Sequence, residues 1–396
     1  MSEWQTFCLK DLGKIVGGAT PSTNNPKNYG NKIAWITPKD LSTLQGRYIK
    51  KGSRSISRLG FKSCSCVLLP KHAILFSSRA PIGYVAIAKK RLCTNQGFKS
   101  IIPNKKIYFE FLYYLLKYYK DNISNIGGGT TFKEVSGATL GLFKVKIPPT
   151  YYEQQKIART LSILDQKIEN NHKINELLHK ILELLYEQYF VRFDFLDENN
   201  KPYQTSGGKM KFSKELNRLI PSGWSVRFLN HKIVSTYQPK TISKTLLNDS
   251  YSYSVYGGGG IIGRFTEYNH EQSEFIISCR GQCGISYLTL PKSWITGNAM
   301  VIRPTKSYTS KTYLYHTIKK YKLTNYITGS VQPQITRQNL STMPILIPKR
   351  KTLNKWNNIS SLLWNLIHNN MQATQTLTAI RDFLLPLLLK QQVKSQ

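Results

Sequence analysis

Apolar residues recur at alternating spacings of three and four in two long stretches of the chain, which is the spacing of a heptad seam. The pattern predicts two long helices that pack on each other as an antiparallel coiled coil. The alternative is that each amphipathic helix packs only against its own domain. The first seam is Ile157, Leu161, Leu164, Ile168, Asn171, Asn175, Leu178, Leu182, Leu185 and Tyr189, and the second is Ile359, Leu363, Leu366, Asn370, Ala373, Leu377, Ile380, Leu384 and Leu387.

Three asparagines lie on these seams, and a proline lies near the end of the second. Asn171, Asn175 and Asn370 are predicted to be buried polar positions that set the register of the two helices. Pro386 is predicted to kink or end the second helix nearby, because proline cannot donate a backbone hydrogen bond.

The remainder of the chain repeats as well. Ser77-Ser78-Arg79 with Gly83 matches Ser278-Cys279-Arg280 with Gly284, a shift of 201 positions (280 − 79). In both copies a β-rich segment, an aromatic helix, a glycine turn and a strand ending in Ile-Pro follow in the same order. The sequence therefore predicts an α+β protein with a pseudo-two-fold internal repeat, in which two similar mixed α/β domains are separated by the two long helices.

The expected boundaries follow from this repeat. The first domain is expected over residues 1–150 and the central helix over residues 151–193. A polar, turn-rich surface linker is expected at 194–223. The second domain is expected at 224–350 and the C-terminal helix at 351–391.

The net charge and its distribution along the chain indicate what kind of partner the protein binds. The chain has 56 lysine and arginine residues against 21 acidic residues, a formal net charge of +35. No carboxylate lies between Asp40 and Glu110 or from Phe275 to Arg381, whereas acids gather on the central helix. Two basic regions of this length predict a polyanionic partner, and counterion release favours nucleic acid. The alternatives are a lysine-rich surface that serves only solubility, and RNA in place of DNA.

Membrane and disulfide-rich classes do not fit the composition. No run reaches the ~18 apolar residues of a membrane helix, and the first residues do not resemble a signal peptide. A soluble cytoplasmic protein is therefore expected. The six cysteines lack the paired CxxC spacing of a zinc site, so ordinary reduced thiols are expected.

No catalytic motif is found in the sequence. The glycine runs at 127–129 and 257–260 lack the Gly-Lys-Ser/Thr of a nucleotide P-loop. Pro148-Pro149 lacks the flanking residues with which an amino-methyltransferase holds a flipped base. Metal-dependent cleavage needs clustered carboxylates, which the basic regions do not have, and the histidines are scattered. The chain is therefore expected to be non-catalytic and to hold no metal.

The remaining candidate chemistry is the reading of DNA bases by side chains on glycine-rich loops. Arginine suits guanine edges, and glutamine or asparagine suits adenine edges, in the major groove. Each loop alone could be a turn or a helix cap, but the loops recur at equivalent places in both copies. The candidate DNA-binding residues are Thr37, Lys39, Arg79, Gln96, Thr130, Thr131 and Lys133 in the first copy, and Arg280, Gln282, Asn298, Gln332, Gln334 and Arg337 in the second.

Ordered short strings along the whole chain resemble the specificity subunit of type I restriction-modification enzymes. They include Trp35-Ile36-Thr37-Pro38-Lys39-Asp40-Leu41, Glu153-Gln154-Gln155-Lys156-Ile157, Ser206-Gly207-Gly208-Lys209-Met210 and Ile220-Pro221-Ser222-Gly223-Trp224. Each string alone is weak, but the ordered set on a two-copy layout is specific. The resemblance implies that each copy is a target recognition domain for one half of a split DNA site, and that the long helices are spacers that bind modification subunits.

The resemblance also implies partners and cofactors. Double-stranded DNA and two methyltransferase subunits are expected, while the presence of restriction (translocase and endonuclease) subunits stays open. S-adenosylmethionine, ATP and magnesium are expected on partner subunits and none of them on this chain. The residues expected to contact methyltransferase subunits are Gln154, Gln155, Ile157, Leu161, Leu164, Ile359, Leu363 and Leu366.

The expected length of the central helix agrees with a split site. A helix over residues 152–190 would be roughly 55 Å long, comparable to one to two turns of B-DNA. The leading hypothesis is therefore a non-catalytic DNA-reading subunit. Two alternatives stay open: a self-contained bivalent DNA- or RNA-binding regulator, and a catalytic nucleic-acid enzyme.

Overall fold

The chain folds as two compact units. The computed structural model describes residues 3–79, 81–128, 133–249, 251–329 and 331–392. Unit 1 consists of residues 1–173 and 371–396, and unit 2 consists of residues 174–370. Each of the two longest helices therefore contributes one segment to each unit.

Unit 1 is built from short strands and one long internal helix. Its strands are β1 (Gln5–Cys8), β2 (Gly13–Gly17), β3 (Tyr29–Ile36), β4 (Tyr48–Ile49), β5 (Arg54–Ile56), β6 (Ile74–Phe76), β7 (Val85–Ala88), β8 (Cys93–Thr94), β9 (Lys99–Pro103) and β10 (Lys144–Ile147). Its helices are α1 (Leu9–Leu12), α2 (Pro38–Ser42), α3 (Arg58–Lys62), α4 (Phe109–Asn125), α5 (Gly137–Leu142) and the first part of α6 (Tyr151–Tyr186).

Unit 2 has the same kinds of element. Its strands are β11 (Met210–Ser213), β12 (Arg218–Pro221), β13 (Ser225–Phe228), β14 (Val234–Tyr237), β15 (Tyr253–Gly257), β16 (Gly260–Phe265), β17 (Phe275–Ser278), β18 (Ser286–Leu288), β19 (Trp294–Ile295), β20 (Ala299–Pro304), β21 (Ile327–Thr328), β22 (Gln334–Ile335) and β23 (Pro344–Ile347). Its helices are the last part of α6, α7 (Lys311–Lys320), α8 (Arg337–Ser341) and the first part of α9 (Arg350–Leu389).

The sheet order confirms the internal repeat. Unit 1 has a sheet of order β2-β9-β6-β7-β4, and unit 2 has the corresponding order β14-β20-β17-β18. A second sheet, β5-β3-β8, matches β16-β15-β19, and in both the last pairing is parallel. The pair β1-β10 matches β13-β23. The units differ at the edges, because β4 extends the larger sheet only in unit 1.

The core of unit 1 lies between α4 and the five-stranded sheet. Phe111, Leu112 and Leu115 of α4 are fully buried together with Ile74 and Ile101 of the sheet. The same apolar cluster takes in residues of both long helices: Ile157, Ala158 and Leu161 of α6, and Leu385, Leu388 and Leu389 of α9. The sheet, α4 and both helix segments of unit 1 therefore share one core.

Two ion-pair networks in unit 1 tie the sheet and α4 to the long helices. The buried Arg47 guanidinium contacts Glu110 at 3.2 Å and Glu169 of α6 at 3.1 Å. Arg381 of α9 contacts Asp165 of α6 at 2.8 Å. The Tyr114 hydroxyl of α4 donates to the other oxygen of Asp165 at 2.6 Å. Removing one partner of such a pair would leave a charge buried without compensation.

The long helices pack antiparallel within each unit. In unit 1, Asn171 Nδ2 donates to Thr374 Oγ1 at 3.2 Å, six residues along α6 from the Asp165–Arg381 pair. In unit 2, Asn370 Nδ2 donates to Asn175 Oδ1 at 2.9 Å. The three predicted seam asparagines are half-buried, and each is bonded to the opposite helix.

The seam predicted for the first long helix is confirmed, and the seam predicted for the second is wrong by one residue. Ile359, Leu366 and Ile380 are exposed, whereas the neighbouring Ser360 and Ile367 are buried. The reason is that α9 carries two apolar stripes with the same spacing. The stripe that contains Trp356 and Trp364 faces inward, because burying two large aromatic side chains removes the most apolar surface from water. Pro386 lies inside α9, one turn before the helix ends.

Residues 194–223, predicted as a surface linker, contain regular structure. The strands β11 and β12 form an antiparallel hairpin there. Phe195 is buried and stacks on Trp224 and Tyr203, with ring centroids 5.2 and 4.9 Å away. This segment therefore packs on the body of unit 2.

All six cysteines are free thiols. Among the described residues, no helix combines the length and the apolar character that crossing a bilayer requires.

The core of unit 2 contains neutral histidines next to tryptophans. The His316 ring on α7 lies 5.3 Å from the Trp356 ring, and the His368 ring lies 5.8 Å from the Trp364 ring. Burial lowers the pKa of His316 to about 3, and nearby Lys319 acts in the same direction. Burial likewise lowers the pKa of His368 to about 4.

These histidines predict that acid destabilises the protein. The unfolded state takes up protons as the pH falls below about 6.5, whereas the folded state does so only near pH 3 to 4, so stability is lost progressively across that window. Each histidine is expected to remove roughly 2–3 kcal/mol by pH 4. Melting temperatures recorded from pH 7 to pH 4 measure the slope. His316→Gln is expected to flatten it, while His231→Gln, at an exposed position, should not; equal slopes in all three proteins would contradict the assignment.

Candidate nucleic-acid interface

An arginine-bearing loop is built in the same way in both units. In unit 1 the Ser77 hydroxyl donates to Pro81 O and accepts from Tyr84 N, and Gly83 N donates to Ser77 O. In unit 2 the Ser278 hydroxyl makes the corresponding bonds to Gln282 O and from Ile285 N. Gly83 and Gly284 have φ values of 102° and 89°, which other residues rarely adopt. The local sequence therefore fixes the loop that holds Arg79 or Arg280.

Backbone hydrogen bonds join this loop to two other segments. In unit 1, Ser78 N donates to Gly97 O at 2.8 Å and Ser78 O accepts from Val135 N at 2.9 Å. In unit 2, Cys279 makes the same two bonds, to Asn298 O and from Ile335 N, both at 3.1 Å. We call this three-way meeting point the junction; it comprises Arg79, Gln96 and Glu134 in unit 1, and Arg280, Asn298 and Gln334 in unit 2.

A fourth segment meets the junction in each unit. Asn95 N donates to Ile36 O, which places the Thr37-Pro38-Lys39 turn beside Gln96. In unit 2, Thr296 N donates to Tyr256 O at 2.9 Å, and the Gly257-Gly258 turn takes the corresponding place. A Cβ on Gly258 would lie 3.2 Å from Arg280 O, so glycine allows this close approach.

The two junctions differ in charge. In unit 1, Glu134 lies 3.7 Å from Arg79 and 3.3 Å from Lys99. In unit 2, the backbones of Arg280 and Gln334 pair directly. None of the ion pairs found in the described part of the chain involves Arg280. The charge of Arg280 is therefore uncompensated among the described residues, whereas Arg79 and Lys99 share the single carboxylate of Glu134.

Most predicted base-reading residues are available at the surface. Lys39, Gln96, Lys133, Gln282 and Asn298 are exposed, as are Gln332, Gln334 and Arg337. Gln96 is engaged by the Thr20 hydroxyl. Arg337 opens α8 and lines a separate cavity of about 490 Å³ together with His231 and Ser235. The predicted residues Thr130 and Thr131 lie outside the described residues.

The Thr37 side chain has a structural role at the start of α2. It caps α2, and both its amide and its hydroxyl donate to Asp40 Oδ2 at 2.8 Å. Burial raises the pKa of Asp40, but hydrogen bonds from Ser53 and Thr37 outweigh this and lower the pKa overall. The Thr37 hydroxyl therefore helps to hold the start of α2, and the reading of a base by Thr37 stays a prediction.

The residues predicted to contact partner subunits fall into two groups. Ile157 and Leu161 are buried in the core of unit 1, and Gln154 is buried with its side chain bonded to Tyr108 N, Lys106 O and Pro148 O. These three predictions are corrected, since inward-facing side chains cannot meet a partner. Gln155, Ile359 and Leu366 are exposed, and Leu164 and Leu363 are half-buried.

Sequence reasoning missed Glu134. The shift of 201 pairs Gln334 with Lys133, whereas the backbone hydrogen bonds of Val135 and Ile335 show that the shift here is 200 and that Gln334 corresponds to Glu134. Across the described residues, no group of three or more histidine, cysteine or acidic side chains has the geometry of a metal site. The side chains of the junctions can attract the phosphates of a nucleic acid and form hydrogen bonds with its bases.

Comparison with known proteins gives a consistent picture. A family model described as "Type I restriction modification DNA specificity domain" matches residues 1–180 and 221–377. The MjaIX type I restriction enzyme specificity subunit of Methanocaldococcus jannaschii is 33% identical, over 98% of this chain and 92% of its own. The HindI specificity subunit of Haemophilus influenzae is 31% identical over 46% of this chain and 40% of its own.

One solved structure shows the same fold. The crystal structure of the type I restriction-modification S subunit from M. genitalium matches with a TM-score of 0.61. The match covers 98% of this chain and 96% of that chain, at 18% sequence identity.

Arg280 forms no ion pair with another described residue, so its guanidinium is predicted to be available to DNA. Arg280→Ala is expected to weaken binding to DNA that contains the target site by about 1–3 kcal/mol and to relax the preference for one base. Fluorescence anisotropy of the assembled complex on labelled duplexes measures both effects. Arg192→Ala removes an exposed arginine outside the junction and should leave base preference intact. Equal losses in the two variants would show that Arg280 supplies only general charge.

Proposed function

Because the chain belongs to the family of type I restriction-modification specificity subunits, we propose that it reads a bipartite, gapped DNA site and positions two methyltransferase subunits on it. The members of this family to which it is similar are named as specificity subunits, the non-catalytic components of these enzymes. The partner subunits would then carry out DNA methylation, and this chain would determine which DNA sequence is modified.

The duplicated junction is the observation that carries the proposal. The same backbone hydrogen bonds hold an arginine loop, an amide-bearing turn and a strand end in each unit. Both junctions expose arginine, glutamine or asparagine, the side chains best suited to base edges in the major groove. Since the exposed side chains differ between the units, each is expected to read its own half-site.

Unit 2 also has a surface that suits the methyltransferase subunits. Exposed apolar residues form one stripe on α6 and another on α9, each next to residues that are buried or half-buried. We call these stripes the apolar flank; it consists of Ile174, Leu177, Ile181 and Leu184 of α6, and Ile359, Leu362 and Leu366 of α9, with exposed fractions from 37% to 67%.

The apolar flank has the spacing of a helix-docking surface. In an antiparallel pair, residues that precede the seam positions on both helices lie on the same side of the pair. Contiguous apolar surface of this kind is costly in water unless a partner covers it. We therefore assign this surface to a helical element of a methyltransferase subunit. S-adenosylmethionine, ATP and magnesium would be bound by partner subunits, including a restriction subunit where one is present.

A self-contained bivalent DNA- or RNA-binding regulator is the second candidate, and the basic charge favours it equally. It predicts tight and specific binding by the purified chain without partners. A gel shift with the purified chain, with and without the methyltransferase subunits, separates the two. Sequence-specific binding that does not depend on the subunits would favour the regulator.

Co-expression with the methyltransferase subunit of the same restriction-modification system tests the function itself. Methylation mapping of the host DNA is expected to give a split motif, two short specific segments separated by unread bases, with adenine methylated in the motif. The chain without the methyltransferase should give no methylation. Absence of any gapped motif in the co-expressing strain would refute the proposal.

The apolar flank gives a separate prediction about assembly. Leu184→Asp is expected to reduce co-purification of the methyltransferase subunit at least tenfold, because a charge replaces an apolar contact at 67% exposure. Leu219→Asp changes another leucine that is 55% exposed, on the β11–β12 hairpin, and serves as the matched control. Unchanged melting temperatures would show that both variants fold. If both variants retained the partner equally, the apolar flank would not be the docking surface.

A further inference from the structure

Glu134 of unit 1 and Gln334 of unit 2 occupy the same place in the repeat. Glu134 pairs with Gly128 across a short bridge, and Gln334 pairs with Thr328 in β21–β22. The next residue in each copy donates its amide to the carbonyl before the arginine, Ser78 O or Cys279 O. Two residues on, Ser136 caps α5 and Thr336 caps α8. The backbone is therefore equivalent while the side chain differs by one functional group.

A second pair of equivalent residues also differs between the two units. Lys99 follows Phe98, which bridges to Ser77, and Met300 follows Ala299, which pairs with Ser278. Lys99 Nζ contacts Glu134 Oε1 at 3.3 Å, whereas Met300 is buried and makes no charge contact. Unit 1 thus holds its carboxylate in place with a lysine, and unit 2 needs no such support for an amide.

The side chains at this position offer different hydrogen-bonding groups at the surface. The Glu134 side chain is 38% exposed, and its Oε2 faces Arg79 at the longer distance of 3.7 Å. A carboxylate only accepts hydrogen bonds, so it suits the amino group that cytosine presents in the major groove. The exposed Gln334 both donates and accepts, which suits the paired groups of adenine.

Because the site is a DNA-reading junction under the proposed function, we infer that positions 134 and 334 determine base specificity, with Glu134 selecting cytosine in one half-site and Gln334 selecting adenine in the other. Lys99 is a positioning residue that fixes the Glu134 carboxylate before DNA arrives. Preorganisation of this kind reduces the entropy lost on binding. The two half-sites are thus read with different chemistry from one scaffold.

Exchanging the two side chains tests this inference. Glu134→Gln and Gln334→Glu are each introduced into the full chain, co-expressed with the methyltransferase subunits, and followed by methylation mapping. Glu134→Gln is expected to change the preferred base at one position in one half of the motif, by about ten- to a hundred-fold. Gln334→Glu should change one position in the other half. Glu176→Gln removes the same charge from an exposed site on α6 and should change neither half.

The outcomes separate this inference from the proposed function. If the parent chain gives a gapped motif and both exchanges leave its bases unchanged, the inference is wrong while the function stands. A lower melting temperature for Glu134→Gln with an unaltered motif would mean that Glu134 only pairs with Lys99, and would also overturn it. A parent chain that gives no gapped motif would overturn the function and the inference together.

Discussion

The antiparallel contact between α6 and α9 is the interaction on which the rest of the fold depends. The first part of α6 and the last part of α9 complete the core of unit 1, and the remaining parts complete unit 2. In unit 1 the contact includes Asp165, which accepts from Arg381 of α9 and Tyr114 of α4. Burial raises the pKa of Tyr114, so its hydroxyl keeps the proton that it donates. Neither copy of the repeat has a complete core without a helix segment from the other half of the sequence.

The two units reach the same architecture with different interior chemistry. Unit 1 joins its sheet and α4 to the long helices through the ion pairs of Arg47 and Arg381. Unit 2 uses packed aromatic rings, with Tyr186, Trp356 and Trp364 around the neutral His316. Ion pairs in a core need every partner in place, whereas aromatic packing mainly needs volume. The two copies of the repeat therefore share a fold, although different interactions stabilise their interiors.

The sequence was informative where a pattern had a single structural solution. The heptad spacing of α6 predicted its buried face, and the repeat of Ser-x-Arg with glycine predicted two equivalent loops. The inward face of α9 was not predictable from spacing, because Ile359 and Leu366 follow the same period as Ser360 and Ile367. Only three-dimensional packing shows that the tryptophan stripe faces inward. Glu134 was missed because an acidic side chain is not expected on a surface that binds nucleic acid. The lysine that it contacts is also 35 positions away in the chain, too far for a local pattern to show the pair.

At each junction, backbone hydrogen bonds hold the segments that carry the exposed side chains, whatever those side chains are. Its three segments are held by amides and carbonyls of residues 78, 97 and 135, and of residues 279, 298 and 335. Every amino acid except proline supplies these backbone groups, so the exposed positions beside them are free to vary without weakening the frame. Under the proposed function, a single substitution at these exposed positions can therefore change the preferred base, while the core and the two long helices remain unchanged.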